Sequence, residues 1–312
     1  MLGIPDRAEI AFGAECEEAL YRSSSFGGAP ERADTWINSI YGEVTAAPFR
    51  APVPAGLSLT AGIRHDDHRT FGSETTFAAS GAFTPDEGPT VVRASYGEGF
   101  KAPSLYQLYS QYGNRSLQPE TADSWDLGVT HSFLGERAQI GATRFERDTT
   151  NLINFVSCFD QADPICVDRP FGTCDNIAAA STDGWELGIA LFPVDGFDLA
   201  LNYTIVDAFD DSNGNRLPRR ARDKVSLMAD YRMDGGIGLG ATVLMVGDSF
   251  DNASNTRPLD GYVVVDVRAS YAMLENVELF GRIENKFGAD YETVFQYGQP
   301  GRGFFGGVRY AM

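Results

Sequence analysis

The chain has 312 residues, a formal net charge of −18 and a sequence pI near 4.5. Such acidity excludes general nucleic-acid binding, which needs a basic surface. Hydrophobic residues make up 43% of the chain, as in folded proteins, and its 34 glycines and 12% aromatic residues are usual in all-β chains. The densest apolar run, residues 262–265, stops at Asp266, so no run approaches the roughly 18 apolar residues of a membrane helix.

Apolar and polar residues alternate with a period of two along the chain, as residues 57–64 (LSLTAGIR) illustrate. This period predicts β-strands with one apolar and one polar face. Because a soluble β-sandwich would give the same local pattern, alternation alone does not decide the class of protein. About fourteen strands are predicted, at residues 8–22, 34–47, 56–68, 73–85, 89–98, 123–133, 137–149, 182–192, 197–208, 222–232, 236–250, 260–271, 277–287 and 303–312.

The connections between these strands alternate between short turns and long loops. The short ones, rich in Pro, Asp and Gly, are residues 84–88, 134–136, 193–196 and 233–235. The long ones are residues 99–122, 150–181, 209–221, 251–259 and 288–302. Outer-membrane barrels have short turns on one side and long loops on the other. We therefore expect loops 99–122 and 150–181 on the extracellular side, with Pro85 and Gly196 on the opposite side.

The stretch from residue 92 to residue 125 contains the most specific motif. A strand leads into residues 99–103 (GFKAP), residues 117–120 (LQPE) follow, and a second strand starts near Trp125. This ordered run resembles the barrel of TonB-dependent outer-membrane receptors, and within that superfamily it is most similar to the cobalamin receptors. Residues 217–221 (LPRRA) resemble a strand entry of the same barrels. Residues 283–292 resemble the segment before their last strand, with Lys286 in place of the usual Leu.

The resemblance implies an all-β fold, namely a transmembrane antiparallel up-and-down β-barrel in the bacterial outer membrane. The fourteen strands would be the C-terminal part of a barrel of about 22 strands, so residues 1–312 would form one receptor-like barrel domain without the plug domain and the first strands. Outer-membrane lipid would surround it. TonB would be contacted only through the N-terminal plug, which we expect this chain to lack.

The resemblance further implies a receptor and transporter barrel for TonB-dependent uptake of cobalamin or a similar metal chelate, present here as a fragment. The metal would arrive inside the ligand, so no cofactor is implied. Neither a G-x-S-x-G motif nor a phosphate-binding glycine loop occurs, and we do not expect an enzyme. The alternatives are a passive porin or structural outer-membrane barrel, and a soluble β-sandwich binding module.

Aromatic and polar side chains in loop 99–122 are candidates for ligand contact, because tyrosine rings offer a large contact area with a polar tip. In receptors of this family the ligand is shared between loops and plug. The alternative for these side chains is an interface girdle or packing within the loop. The candidate contact residues are Tyr106, Tyr109, Tyr112, Asn114 and Arg115.

Three of the four cysteines, Cys158, Cys166 and Cys174, fall in loop 150–181. An extracellular loop permits a disulfide. Cys158–Cys166 is the favoured pair, because the Asp-Pro turn at 163–164 could bring the two together, and Cys166–Cys174 is the alternative. Metal binding by the three cysteines is less favoured. Cys16, within a strand, is interpreted as an unpaired small hydrophobic residue.

Other candidate metal ligands are weak. The three histidines, His65, His68 and His131, are too few and too scattered for a metal site. Residues 210–215 (DDSNGN) resemble a calcium loop faintly, but they lack its spaced glycine and its bidentate glutamate. They are interpreted as a turn, and no metal site is predicted.

Overall fold

The computed structural model describes residues 7–24, 30–47, 56–85, 88–158 and 164–311. All fourteen predicted strands are present, in one antiparallel sheet whose neighbouring strands follow chain order. The all-β, up-and-down prediction is therefore confirmed. The strands of this sheet are β1 (Arg7–Ser23), β2 (Glu31–Ala47), β3 (Leu57–His68), β4 (Gly72–Phe83), β5 (Thr90–Lys101), β6 (Glu120–Phe133), β7 (Ala138–Val156), β8 (Thr173–Leu191), β9 (Phe197–Asp210), β10 (Asp223–Arg232), β11 (Ile237–Val246), β14 (Tyr262–Leu274), β15 (Val277–Glu284) and β18 (Gly303–Tyr310).

Short elements lie within the connections. Two small hairpins pair β12 (Ser249–Phe250) with β13 (Pro258–Leu259), and β16 (Glu292–Val294) with β17 (Tyr297–Gly298). A five-residue helix, α1 (Leu105–Tyr109), follows β5, and a 3₁₀ turn covers Pro164–Cys166. No helix in the described part of the chain is long and apolar enough to cross a membrane.

Strand register separates the two faces of the sheet. Across β1 to β4, one row places Phe12, Ile63 and Phe77 on the same face, with Gly42 between the first two. We call this the apolar face; Phe12 on it is 84% exposed. The opposite, polar face carries Glu15 and Arg64. A shift of one residue would exchange the faces of a strand, so the alternation fixes the register.

Contacts divide the chain into two compact units. The first comprises Met1–Leu127, Phe145–Thr182 and Phe209–Asn215, and contains β1 to β5 and α1. The second comprises Gly128–Arg144, Asp183–Ala208 and Arg216–Met312, and contains β10 to β18. In the first unit, Leu108, Leu117 and Cys174 form a buried cluster on which Phe71, Tyr109 and Ile153 pack.

Strands β7 and β8 extend beyond the predicted ends. β7 continues to Val156 and β8 already begins at Thr173, so the connection between them is shorter than the predicted loop 150–181. Side-chain hydrogen bonds partly explain the difference. The Asn176 amide donates to the Asn151 carbonyl at 2.6 Å, and the Ile153 N–H donates to Glu120 at 3.1 Å. Alternation of apolar and polar residues does not reveal such bonds, so it did not predict these strand ends.

Candidate functional site

Residues 102–119, called the α1 loop below, are organised by a capped helix. The Gln107 backbone N–H donates to Ser104 Oγ at 3.2 Å, and the Ser104 N–H donates to Gln107 Oε1 at 2.9 Å. This reciprocal capping box satisfies two N–H groups that have no partner within the helix. A helix of five residues is too short to be stable alone. Burial of Leu105 and Leu108 therefore adds the stabilisation that the helical hydrogen bonds alone do not provide.

A tight turn follows the helix. The Asn114 backbone N–H donates to the Gln107 carbonyl at 2.8 Å, and Asn114 Oδ1 accepts from the Ser116 N–H at 3.0 Å and hydroxyl at 2.6 Å. A Cβ at Gly113 would lie 2.6 Å from the Leu108 carbonyl oxygen, so only glycine allows this approach. The turn leaves Arg115 exposed.

The far end of the α1 loop is bonded to the start of β8. The Tyr112 carbonyl accepts from the Cys174 N–H at 2.9 Å. Asn176 Oδ1 accepts from the Gln118 N–H at 2.9 Å, and its Nδ2 donates to the Gln118 carbonyl at 3.0 Å. Where the loop meets β6, Lys101 Nζ donates to Glu120 at 2.9 Å. These bonds hold the loop in one conformation.

The α1 loop borders a cavity of about 590 Å³ within the first unit. This volume lies in the range of small-molecule sites, roughly 300–1,000 Å³. Arg115 Nη2 donates to Glu31 Oε1 at 2.6 Å, and its guanidinium lies 4.9 Å from the centroid of the Tyr109 ring. Arg169 Nη1 donates to Thr173 Oγ1 at 2.7 Å. The lining residues are Glu31, Leu108, Tyr109, Ser110, Gly113, Asn114, Arg115, Ser116 and Arg169.

Three of the five candidate contact residues line this cavity: Tyr109, Asn114 and Arg115. Asn114 is buried, and its amide oxygen is used by the turn. Tyr106 is exposed on α1 and is not among the lining residues. The Tyr112 ring packs edge-on against Phe155, with centroids 5.6 Å apart. Loop packing, the alternative, therefore describes Tyr112.

Sequence reasoning missed two charged lining residues, Glu31 and Arg169. Glu31 begins β2 and is separated from Arg115 by 84 positions in the chain. Arg169 lies just before β8. Each is a charged residue near a strand end, without a motif that could have identified it.

The cysteines of the β7–β8 connection are brought close together. Cys158 and Cys166 are joined through their sulfurs, with Cα atoms 5.4 Å apart. Residues 159–163 between them lie outside the described residues. The other two thiols are free: Cys16 is exposed on the apolar face of β1, and Cys174 is buried in the cluster under the α1 loop.

Paired charges occupy the polar face of the second unit. Register places Asp230, Gly240 and Arg268 in one row. Arg268 reaches across Gly240 and makes a two-pronged contact with Asp230, and its Nη1 donates to Thr242 Oγ1 at 3.0 Å. A Cβ at Gly240 would lie 2.4 Å from Arg268 Nε, so the glycine creates the path for the guanidinium.

Strands β15 and β18 continue this polar face. Arg309 donates to Glu278 at 2.6 Å, and the Arg282 guanidinium lies 4.6 Å from the Phe305 ring centroid. Glu278, Arg282 and Arg309 border a cavity of about 660 Å³. Among the described residues, no group of three or more His, Cys, Asp or Glu side chains could hold a metal ion.

The chain is similar to proteins of one family. A profile described as "TonB dependent receptor-like, beta-barrel" matches residues 18–285. The vitamin B12 transporter BtuB of Vibrio cholerae serotype O1 is 34% identical over 263 residues, which are 81% of this chain and 39% of that protein. The vitamin B12 transporter BtuB of Vibrio vulnificus is 31% identical over 262 residues, 81% of this chain and 40% of that protein.

Solved structures share the fold. A variant of the ferric enterobactin receptor of Pseudomonas aeruginosa, in complex with enterobactin, superposes with a TM-score of 0.77 at 21% identity, covering 98% of this chain and 53% of that one. The siderophore receptor PirA of Pseudomonas aeruginosa gives 0.72 at 21% identity, covering 97% and 51%. The chain thus spans about half the length of these structures, and 39% of the first curated relative. With its alternating strands, its GFKAP and LQPE segments and the match over residues 18–285, the chain belongs to the TonB-dependent receptor-like β-barrel family.

Proposed function

We propose that this chain forms part of the wall of an outer-membrane receptor that takes up cobalamin or a similar metal chelate by TonB-dependent transport. The cavity beside the α1 loop is the observation that carries the proposal, because it brings aromatic and charged side chains together. The 34% identity to a vitamin B12 transporter supports cobalamin as the ligand. TonB would act through a plug domain, and the chelate would be released inward without any covalent step.

The cavity lining suits a large polar ligand. Tyr109 contributes an aromatic ring with a hydroxyl, and Arg115 and Glu31 contribute a cation and a carboxylate that are bonded to each other. Arg169, whose Nη1 donates to Thr173 Oγ1, adds a second cation to the lining. Amide or acidic groups of a metal chelate could form hydrogen bonds with these lining side chains.

The apolar face supports placement in a lipid bilayer. Its side chains are unusually exposed: Phe12 is 84% and Phe77 51% exposed, whereas soluble proteins rarely expose extended apolar patches. Lipid would cover these residues, and the polar face with its ion pairs would face an aqueous interior. A soluble β-sandwich leaves these side chains unexplained. The porin alternative gains no support, since the relatives are named as transporters and receptors.

Because the ligand would be shared between the loops and a plug domain, binding is measured in detergent micelles on the complete receptor that we propose, of which this chain forms part of the wall. Vitamin B12 and ferric enterobactin are titrated separately, with a metal-free peptide of similar mass as the negative control. Arg115→Ala removes a charge that lines the cavity and is expected to weaken binding about tenfold, the effect of losing one charge-assisted hydrogen bond at an exposed site. The matched control is Arg137→Ala, an arginine in the β6–β7 turn that does not line the cavity.

Two results would contradict the proposal. One is the absence of saturable binding for both chelates. The other is binding that Arg115→Ala and Arg137→Ala leave equally unchanged, since the ligand would then lie elsewhere.

A further inference from the structure

A buried histidine holds the turn between β3 and β4. His68, the last residue of β3, is 6% exposed, and its Nδ1 accepts from the backbone N–H groups of Thr70 at 3.1 Å and Phe71 at 3.3 Å. An Nδ1 that accepts has no proton, so the ring proton is assigned to Nε2. Nε2 lies 3.3 Å from Thr35 Oγ1, which can accept it.

This turn is connected to the α1 loop through one side chain. The Phe71 and His68 rings lie 5.1 Å apart, centroid to centroid. Phe71 also packs on the buried cluster of Leu108, Leu117 and Cys174. Leu108 belongs to α1 and lines the 590 Å³ cavity. The position of Phe71 therefore affects the packing under the residues that line the cavity.

We propose that protonation of His68 opens the β3–β4 turn and loosens the α1 loop, so that the cavity is ordered at neutral pH and disordered in mild acid. In an imidazolium, Nδ1 carries a proton and cannot accept a hydrogen bond. Its N–H would then point at the backbone N–H groups of Thr70 and Phe71. Both backbone groups would lose their partner, and Phe71 would leave the cluster. The loosening of the loop does not depend on which ligand the cavity takes.

The charges around His68 are few. On β3, Asp67 is adjacent, while Asp66 is already bonded to Arg64 at 2.8 Å. Beyond the turn, Arg69 pairs with Asp34 of β2. Thr35 is the β2 side chain that contacts the ring, and α1 has no charged residue.

The direction of the pH effect follows from burial. His68 lies beyond Ile63, the last apolar residue on the apolar face of β3, and so lies outside the membrane-spanning segment that we propose. Burial lowers the pKa of His68 from its ordinary 6.5, and Asp67 opposes this in part. Because the folded pKa lies below the unfolded one, the stability of the closed turn is fully present above pH 6.5. This stability is lost as the pH falls through the pKa that His68 has in the folded protein.

Amide hydrogen exchange of the folded chain tests the proposal. Exchange at Thr70, Phe71 and residues 105–117 is measured at pH 7.5 and pH 5 and corrected for intrinsic rates. We expect protection at these amides to be lower at pH 5 than at pH 7.5. The midpoint of this loss should coincide with the titration of the His68 ring, followed by NMR in the same sample.

Two variants separate the switch from general acid sensitivity. His68→Asn places an amide oxygen near the Nδ1 position, where it can accept from the turn but cannot be protonated in this range. Its protection should be the same at both pH values. His65→Gln is the control, because His65 bonds Thr75 Oγ1 at an exposed position and should leave the acid response intact. The proposal is wrong if wild-type protection does not change or changes away from the His68 titration, or if His68→Asn keeps the acid-induced loss.

Discussion

At the scale of single residues, Gly113 sets the shape of the α1 loop. A Cβ there would lie 2.6 Å from the Leu108 carbonyl oxygen and 2.8 Å from that of Ser110, and backbone atoms cannot move away without breaking the turn. We expect Gly113→Ala to destabilise the loop by about 1–3 kcal/mol, the usual cost of overpacking. Local hydrogen exchange over residues 105–117 would measure it.

Gly97→Ala is the matched control for this substitution. A Cβ at Gly97 meets nothing within 4 Å, so the protection of the α1 loop should stay within about 0.5 kcal/mol of wild type. Equal effects of the two variants would show that the close contact at Gly113 does not determine the loop conformation.

Residue-level prediction from sequence succeeds where the chain itself brings groups together. Tyr109 and Arg115 lie near each other in one short segment, and the Arg115 guanidinium does contact the Tyr109 ring. Tyr106 shares the segment, but Leu105 and Leu108 take the buried side of α1 and leave it to solvent. Glu31 could not be predicted, because its contact depends on how α1 packs over β1 and β2.

At the scale of elements, strands were predictable because alternation is a local property. All fourteen predicted strands are present in the order of the chain. Helix α1 was not predicted, since five residues give too little of a 3.6-residue period to recognise. The outer parts of β7 and β8 were missed because side chains distant in sequence, such as Glu120 and Asn176, hold them in place.

The cysteine pair belongs to this scale, because it closes the connection between β7 and β8. We expect the Cys158–Cys166 bond to form in the exported protein and to stabilise the connection by roughly 2–3 kcal/mol, as the chain-entropy relation gives for a small ring. Peptide mapping under non-reducing conditions should find the two residues linked.

The buried thiol of Cys174 provides the internal control in this mapping. Cys174 should react with a maleimide only after unfolding. Burial shields the thiol and raises its pKa, and the residue lies at the start of β8, outside the proposed membrane-spanning segment. Free thiols at both Cys158 and Cys166, or a Cys166–Cys174 link, would overturn the assignment.

At the scale of the whole chain, composition and patterning have different predictive power. The net charge of −18 excluded a class of partners but did not locate a site. The two-faced strands located one apolar and one polar surface, as the rows containing Phe12 and Arg64 illustrate. The lining of the cavity could not be derived from the strand pattern, because Glu31 at the start of β2 and Arg169 in the β7–β8 connection come together only in the fold.

The central claim is that the chain crosses the outer membrane with the α1 loop outside, and thiol labelling of intact cells tests it most directly. Arg115→Cys and Pro85→Cys lie at opposite ends of β5, one in the α1 loop and one in the β4–β5 turn. Each is introduced separately into a chain in which serine replaces Cys16 and Cys174, with an export signal. A membrane-impermeant maleimide is then added. The account predicts label at position 115, and label at position 85 only after the outer membrane is permeabilised. Label at position 85 of intact cells without label at position 115 would contradict it.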